Sequence, residues 1–512
     1  MTGVREQERV TDTPTGTDTL RFLGPVDGGL PDEPAPGCIG TGQILRLLTR
    51  QLFAYPTGTD PAVRPVADAA VELPTVDNGG ISADGRTWRI RLRDGIRWDA
   101  QAARELTAGD VVRGLKRTAH PLARAMRPYL GEIIEGMADY YRAYDEALGH
   151  WEAHAPAFAQ FQQFTRIPGL RAEGDTVVLR LTAPANDLVD LLATGFTAAA
   201  PREYDYYVPE SPELYRCTPS AGPYRIAKRL SPGGDLVLEP NPRWDPGTDP
   251  VRRRTARRIE VVAAADGQPV DPASGFGVLS WSVPSPAARF AGTGCSYYLA
   301  AGTGGAAEPH AVRHALSWAL DRAALAEAAC AAGADGAATQ HGVLQPGHPA
   351  AERGADDAPD AGDPERARRL LDAAGLGEGT RLTLGVPAGS RLGAVAAALV
   401  AVLARYGITL APVPLAPSGG PGVDVVLHEW VPAWAGDAGR DLVHRMWPSD
   451  GRAGDPAEVA REALRATDPG EAATLWRRFD RLATADLRLV PLLVADWPRA
   501  RADGVAAGAA RW

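Results

Sequence analysis

The run His428-Glu429-Trp430-Val431-Pro432-Ala433-Trp434-Ala435-Gly436-Asp437 gathers the side-chain types from which a binding or acid–base site is made. Glu429, His428 and Asp437 could carry protons, and Trp430 and Trp434 could wall a cleft for a small organic molecule. The apolar residues just before them predict a strand over 424–428, and in open α/β sheets ligands gather beyond the carboxyl ends of strands. Two histidine pairs, His150 with His154 and His310 with His314, stand four apart and would each share a helix face. Neither has a third ligand nearby in sequence, so both read as surface or core histidines and no metal is expected. Phosphate-binding loops, nucleophile elbows, HExxH and dinucleotide fingerprints do not occur, so no motif specifies a reaction or a cofactor.

These groups sit in a chain of 512 residues, long enough for two or three domains, and 45% hydrophobic residues suffice for their cores. A net charge of -9 with no prominent basic cluster argues against a nucleic-acid partner. The densest basic run, Arg253, Arg254, Arg257 and Arg258, is read as a solvated helix or turn face. Only Lys116 and Lys228 are lysines, which with abundant Ala, Gly and Arg reflects GC-rich coding and carries no mechanism. Cys38, Cys217, Cys295 and Cys330 are too few and too dispersed for a disulfide framework, although one or two bridges stay open. The first twenty residues show neither a basic n-region, an apolar h-region nor a lipid-accepting Cys. As written, the chain is expected in the cytoplasm, with an extracellular lipoprotein as the alternative if an export segment was omitted.

The elements that must position the candidate groups alternate along the chain. Residues 1–18 read as a disordered polar tail, and order is expected from about Leu20. Helical patterns cover 45–53 and the Tyr- and Trp-rich region 129–164, a strand covers 177–181 and a helix 187–193. Strands are expected between Tyr224 and Val262. Helix 309–332, helix 363–374, strand 381–386, helix 391–405 and strand 424–428 then alternate as βα units, which means a sheet covered on both faces. The Pro/Gly/Asp-rich stretches 347–363 and 414–422 read as surface loops.

Residues 82–118, SADGRTWRIRLRDGIRWDAQAARELTAGDVVRGLKRT, are the most specific stretch. Trp88, Ile90 and Leu92 alternate with Arg89, Arg91 and Arg93, Asp94-Gly95 turns the chain, and Ile96 and Trp98 resume the alternation. Thr107 and Asp110 form a capping box before Val111, Val112 and Leu115. In wording this unit resembles the signature of the extracellular solute-binding proteins of family 5, the peptide and nickel receptors of ABC importers, in an actinobacterial form. Further segments resemble the family's landmarks in order: Ser220 to Ile226, Leu238 to Trp244, Val312 to Arg322, Asp363 to Gly375 and Tyr406 to Ile408.

The resemblance implies an α/β fold of the two-lobed periplasmic-binding-protein kind, type II in its large form, with mixed sheets flanked by helices. Lobe I would hold 19–298 and 488–512, with a subdomain at about 54–170, and lobe II would hold 299–487. The crossovers would fall near Cys295 to Leu299 and near 486–492, which makes Tyr297, Tyr298 and Trp281 further cleft candidates. Cys38, in the Gly-rich CIGTG turn, would lie near the ligand, as a packed thiol rather than a nucleophile. The implied ligand is a small organic or peptide-like molecule, the implied partner an ABC permease, and the protein a monomer. Peptide receptors of the family resemble one another in a WxxDY segment whose Asp pairs with the peptide's ammonium group. Here that segment is Trp430-Val431-Pro432-Ala433-Trp434, so the carboxylate is replaced by a methyl. The rival expectation is a cytoplasmic relative recruited as an enzyme that encloses a metabolite, with Glu429, His428 or Asp437 as acid or base.

Overall fold

The computed structural model describes residues 19–24, 46–56, 64–99, 104–120, 126–148, 155–207, 218–229, 236–254, 256–263, 277–278, 294–302, 304–334, 336–346, 348, 350–351, 358–387, 392–415, 422–432, 439–447 and 454–496. The first unit opens with β1 (Thr19–Gly24), β2 (Phe53–Ala54), β3 (Val66–Ala67) and β4 (Thr87–Arg91). Helices α1 (Ala108–Arg117), α2 (Arg127–Ile133), α3 (Met137–Leu148) and α4 (Ala155–Phe164) follow, then β5 (Leu170–Glu173), β6 (Thr176–Arg180) and α5 (Leu188–Leu192). Strands β7 (Tyr224–Arg229), β8 (Leu236–Pro240), β9 (Arg258–Ala263) and β10 (Gly277–Val278) complete it. Its main sheet has the order β10-β1-β9-β8-β7, and a separate antiparallel sheet, β4-β6-β5, carries the subdomain.

The signature stretch shows why its residues are spaced as they are. Along β4, Trp88 and Ile90 are buried while Arg89 and Arg91 are exposed, the period-2 pattern of a strand with one wet face. Gly95 turns the chain at φ +80°, a conformation open to glycine without strain. The expected second strand reduces to one bridge, Arg97 to Glu105, and the chain then arches into the helix. Asp110 anchors that arch: its carboxylate accepts from the Thr107 N–H at 2.9 Å, the Trp98 indole at 3.3 Å and the Arg104 guanidinium at 2.7 and 2.8 Å. In the Ser220 to Tyr224 turn, a Cβ on Gly222 would stand 2.3 Å from the Leu47 carbonyl oxygen, so only glycine lets the two backbones meet.

Asp99 joins these two motifs by accepting from the Ser220 N–H at 2.5 Å. Burial raises its carboxyl from 3.8 to about 6, against the opposing pull of that hydrogen bond and of Arg225. The native state therefore holds the proton more tightly than the unfolded chain, so the stability from this group is complete below pH 4 and is lost as pH rises through 6. Asp99→Asn keeps the acceptor and removes the charge. Between pH 4.5 and 7.5 its unfolding free energy relative to wild type should move in the variant's favour by about 1–3 kcal/mol. Urea titrations at the two pH values check this, and parallel wild-type and variant profiles would contradict it.

The second unit comprises β11 (Cys295–Ala301), α6 (His310–Ala319), α7 (Arg322–Ala331), β12 (Gly336–Thr339), α8 (Pro364–Ala373), β13 (Arg381–Pro387), α9 (Gly393–Ala404), β14 (Thr409–Leu415) and β15 (Val425–Trp430). It ends with α10 (Gly439–Met446), α11 (Pro456–Arg465), α12 (Pro469–Asp486) and β16 (Leu489–Asp496). All six strands form one mixed sheet, β12-β16-β11-β15-β13-β14. Its core under α6 to α9 is built from residues such as Leu316, Leu325, Leu371, Leu399 and Leu427.

Three expectations are corrected. The boundary drawn at 298 cuts through β11, and the one at 488 parts β16 from the sheet it belongs to, because β11 and β16 run antiparallel from Cys295 opposite Ala495 to Ala300 opposite Leu489. The second sheet thus spans Cys295 to Asp496. Helix 309–332 is two helices, since Asp321 accepts from the Ala324 N–H at 3.0 Å and starts a new one. Among the described residues of 45–53 only 46–48 is helical, and Phe53 already belongs to β2. The basic run is solvated as expected, with Arg253, Arg257 and Arg258 exposed, while its neighbour Arg252 is enclosed.

Candidate functional site

β15 runs two residues further than the predicted strand, through Glu429 and Trp430. Strand alternation then splits the candidates between two faces. Val425 and Leu427 belong to the core under α6 to α9, and Glu429 follows them on that side, where its carboxylate accepts from the Tyr297 hydroxyl at 2.9 Å. Tyr297 lies directly across the antiparallel pair from Glu429 and shares that core. Trp430 and Tyr298 instead join the larger core that extends into the first unit's subdomain, and His428, opposite Tyr298, stands on their face. His428 is half-buried, and burial holds its imidazole below its ordinary pKa, so it is neutral at pH 7 with one ring donor and one acceptor. Glu429 and His428 therefore diverge and form no acid–base pair.

The face that carries Trp430 is tightly tied down. The Trp430 indole, 3% exposed, donates to Asp441 at 2.9 Å, and Asp441 also accepts from the Tyr129 hydroxyl of α2 at 2.6 Å. Tyr298 is wholly buried: its hydroxyl donates to the Val343 carbonyl at 2.7 Å and accepts from Gln340 at 3.1 Å. Burial, the largest influence, raises the Tyr298 hydroxyl's pKa well above the usual phenol value, so it acts as a neutral hydrogen-bonding group. Asp441 and Tyr129 are the members of this cluster that sequence reasoning missed. A buried carboxylate in the first turn of a short polar helix leaves no hydrophobic period to signal it.

Trp434, Asp437, Ala433, Trp281 and Cys38 lie outside the described residues, as do His150 and His154. His310 and His314 stack at 6.2 Å, but one ring nitrogen of each faces the protein: His314 accepts from the Trp318 indole at 3.1 Å and His310 lies 2.9 Å from the Ala485 carbonyl. Among the described residues no group of three or more His, Cys, Asp or Glu could hold a metal ion.

Two α/β units, one carrying an extra subdomain and the other offering a strand end toward it, make up a two-lobed periplasmic-binding-protein fold. The chain belongs to the bacterial extracellular solute-binding proteins of family 5, whose middle-region model matches residues 75–440. It is similar to clavulanic acid biosynthesis oligopeptide binding protein 2, at 26% identity over 94% of this chain and 91% of that chain with a TM-score of 0.70. In fold it is also similar to DppA from Helicobacter pylori in complex with the peptide STSA, at 16% identity over 93% of each chain and a TM-score of 0.64. AgaA from A. tumefaciens R10, in complex with agropinic acid, matches at 16% identity over 93% of this chain and 92% of that chain with a TM-score of 0.62. No curated protein matches the chain in sequence.

Proposed function

We propose that the protein holds a small organic or peptide-like ligand between its two lobes and delivers it to an ABC permease, acting as a monomer. The observation that carries this reading is the position of the β15 carboxyl end, where Trp430 and His428 share the sheet face turned toward the first unit. A ligand there would touch both lobes only when they are together, so binding shifts the population toward the closed form. Fold relatives solved with a peptide and with agropinic acid support a ligand class wider than peptides. The divergence of Glu429 from His428 weighs against the enzyme reading, which would need them to act on one bound molecule.

Trp430→Ala tests the site. Affinity for the compound recovered with the wild-type protein should fall by about 1–3 kcal/mol, the range for a buried aromatic anchor. Calorimetric titration of that compound reads it out, and unchanged affinity would assign Trp430 to packing alone.

A further inference from the structure

α10 belongs by connection to the second unit, since it lies between β15 and β16 of one sheet. Its first turn nonetheless presents two consecutive charged residues, Arg440 and Asp441, both buried and both engaged by the first unit. The Arg440 guanidinium holds Asp187, beside α5, in a two-pronged pair at 2.6 and 2.9 Å, and reaches Glu132 of α2 at 3.3 Å. Asp441 accepts from Tyr129 of α2 at 2.6 Å. Next to Asp187, Asn186 donates its side-chain amide to the carbonyls of Ala463 and Ala466 at 2.8 and 3.1 Å, where α11 ends. All of these are polar bonds between side chains or backbone groups that would be rehydrated if the units separated.

We propose that the first turn of α10 is a closure clasp, with Arg440 and Asp441 gripping α2 and the start of α5 when the lobes are shut and releasing them when the lobes part. A buried ion pair suits that task, and it is set beside apolar residues of the same contact, Leu442 of α10 and Leu188 of α5. Its charges lose hydration on closing and regain it on opening, so the net preference for either state stays small and reversible. The planar guanidinium also fixes the docking register, because two parallel bonds form in one orientation only. Asp441 adds a link to the ligand wall, for the same carboxylate holds the Trp430 indole. That link rests on the binding reading, whereas the clasp is a property of the chain and can be measured without ligand.

The test uses the full chain, ligand-free, as wild type, Asp187→Ala, Arg440→Ala, Tyr129→Phe and the charge swap of Asp187→Arg with Arg440→Asp. Each single variant should scatter X-rays with a larger radius of gyration. Amide protons of α5 and α10 should exchange at least tenfold faster while those of the second sheet keep wild-type protection. The swapped pair should recover part of the compaction. Wild-type scattering and exchange in all single variants would overturn the clasp. So would loss of protection across both sheets at once, because that would make the contact part of one permanent core. Tyr129→Phe removes a single hydroxyl and keeps the question answerable if a charge variant does not fold.

Discussion

Asp68→Ala is expected to lower the unfolding free energy by about 3–5 kcal/mol, the loss typical of leaving buried charge without its partner. Asp68 is fully enclosed and accepts from Arg50 Nε at 2.6 Å, Arg252 Nη2 at 2.9 Å and the Gln51 N–H at 3.1 Å. Asp249 is the second acid of the cluster, 3.6 Å from Arg50 and 3.3 Å from Arg252, with the Trp244 indole donating to it at 3.0 Å. Burial would raise the Asp249 carboxyl, but Arg252 and Arg50 outweigh it and hold the group at about 2. The two carboxylates thus face Arg50 and Arg252, with Arg46 also in the field of both acids and of Arg252, in a buried site that joins the segments around 50, 68 and 250. Removing Asp68 leaves buried positive charge further in excess. Urea unfolding monitored by far-UV circular dichroism measures the loss, and a change under about 1 kcal/mol would show that the cluster relaxes around the gap.

Short unmodified peptides should bind the wild-type protein with dissociation constants in about the millimolar range, and Ala433→Asp should tighten them by about 2–3 kcal/mol, roughly a hundredfold. By the resemblance to the family's WxxDY segment, Ala433 would stand at the position of an ammonium-pairing carboxylate. An ammonium group drawn into the cleft loses its hydration, and a methyl at position 433 offers it no counter-charge. Titration calorimetry with di- to pentapeptides reads both affinities. Micromolar binding by the wild type would return the protein to the ordinary oligopeptide receptors.

Local signals made the first unit's signature legible. Alternation at Trp88, Ile90 and Leu92, the glycine at 95 and the capping pair Thr107 and Asp110 act within a few residues of one another, and each is where its spacing predicts. The family landmarks were legible for the same reason, as Gly222 and Asp321 show: one admits a close backbone approach and the other caps a helix. Helices α10 to α12 gave weaker signals. In Gly439–Met446 the buried side is partly Arg440 and Asp441, so a search for apolar periodicity passes over it. The candidate site was legible only as far as its strand. The strand and its end were found, but treating Glu429, Trp430, Tyr297 and Tyr298 as one cluster ignored the two-residue period that sends neighbours to opposite faces. The lobe boundaries fell inside β11 and just before β16, because sequence alone does not reveal that strands almost two hundred residues apart are partners.

The central claim is that the molecule encloses a small ligand unchanged. Incubation of the purified protein with extract of its source cells, followed by native mass spectrometry, tests it most directly. The account predicts one small molecule retained per chain, released intact on denaturation, with solution scattering showing a more compact protein when that compound is added back. Loss of the compound with appearance of a new product, or a chain that retains nothing and never compacts, would contradict it.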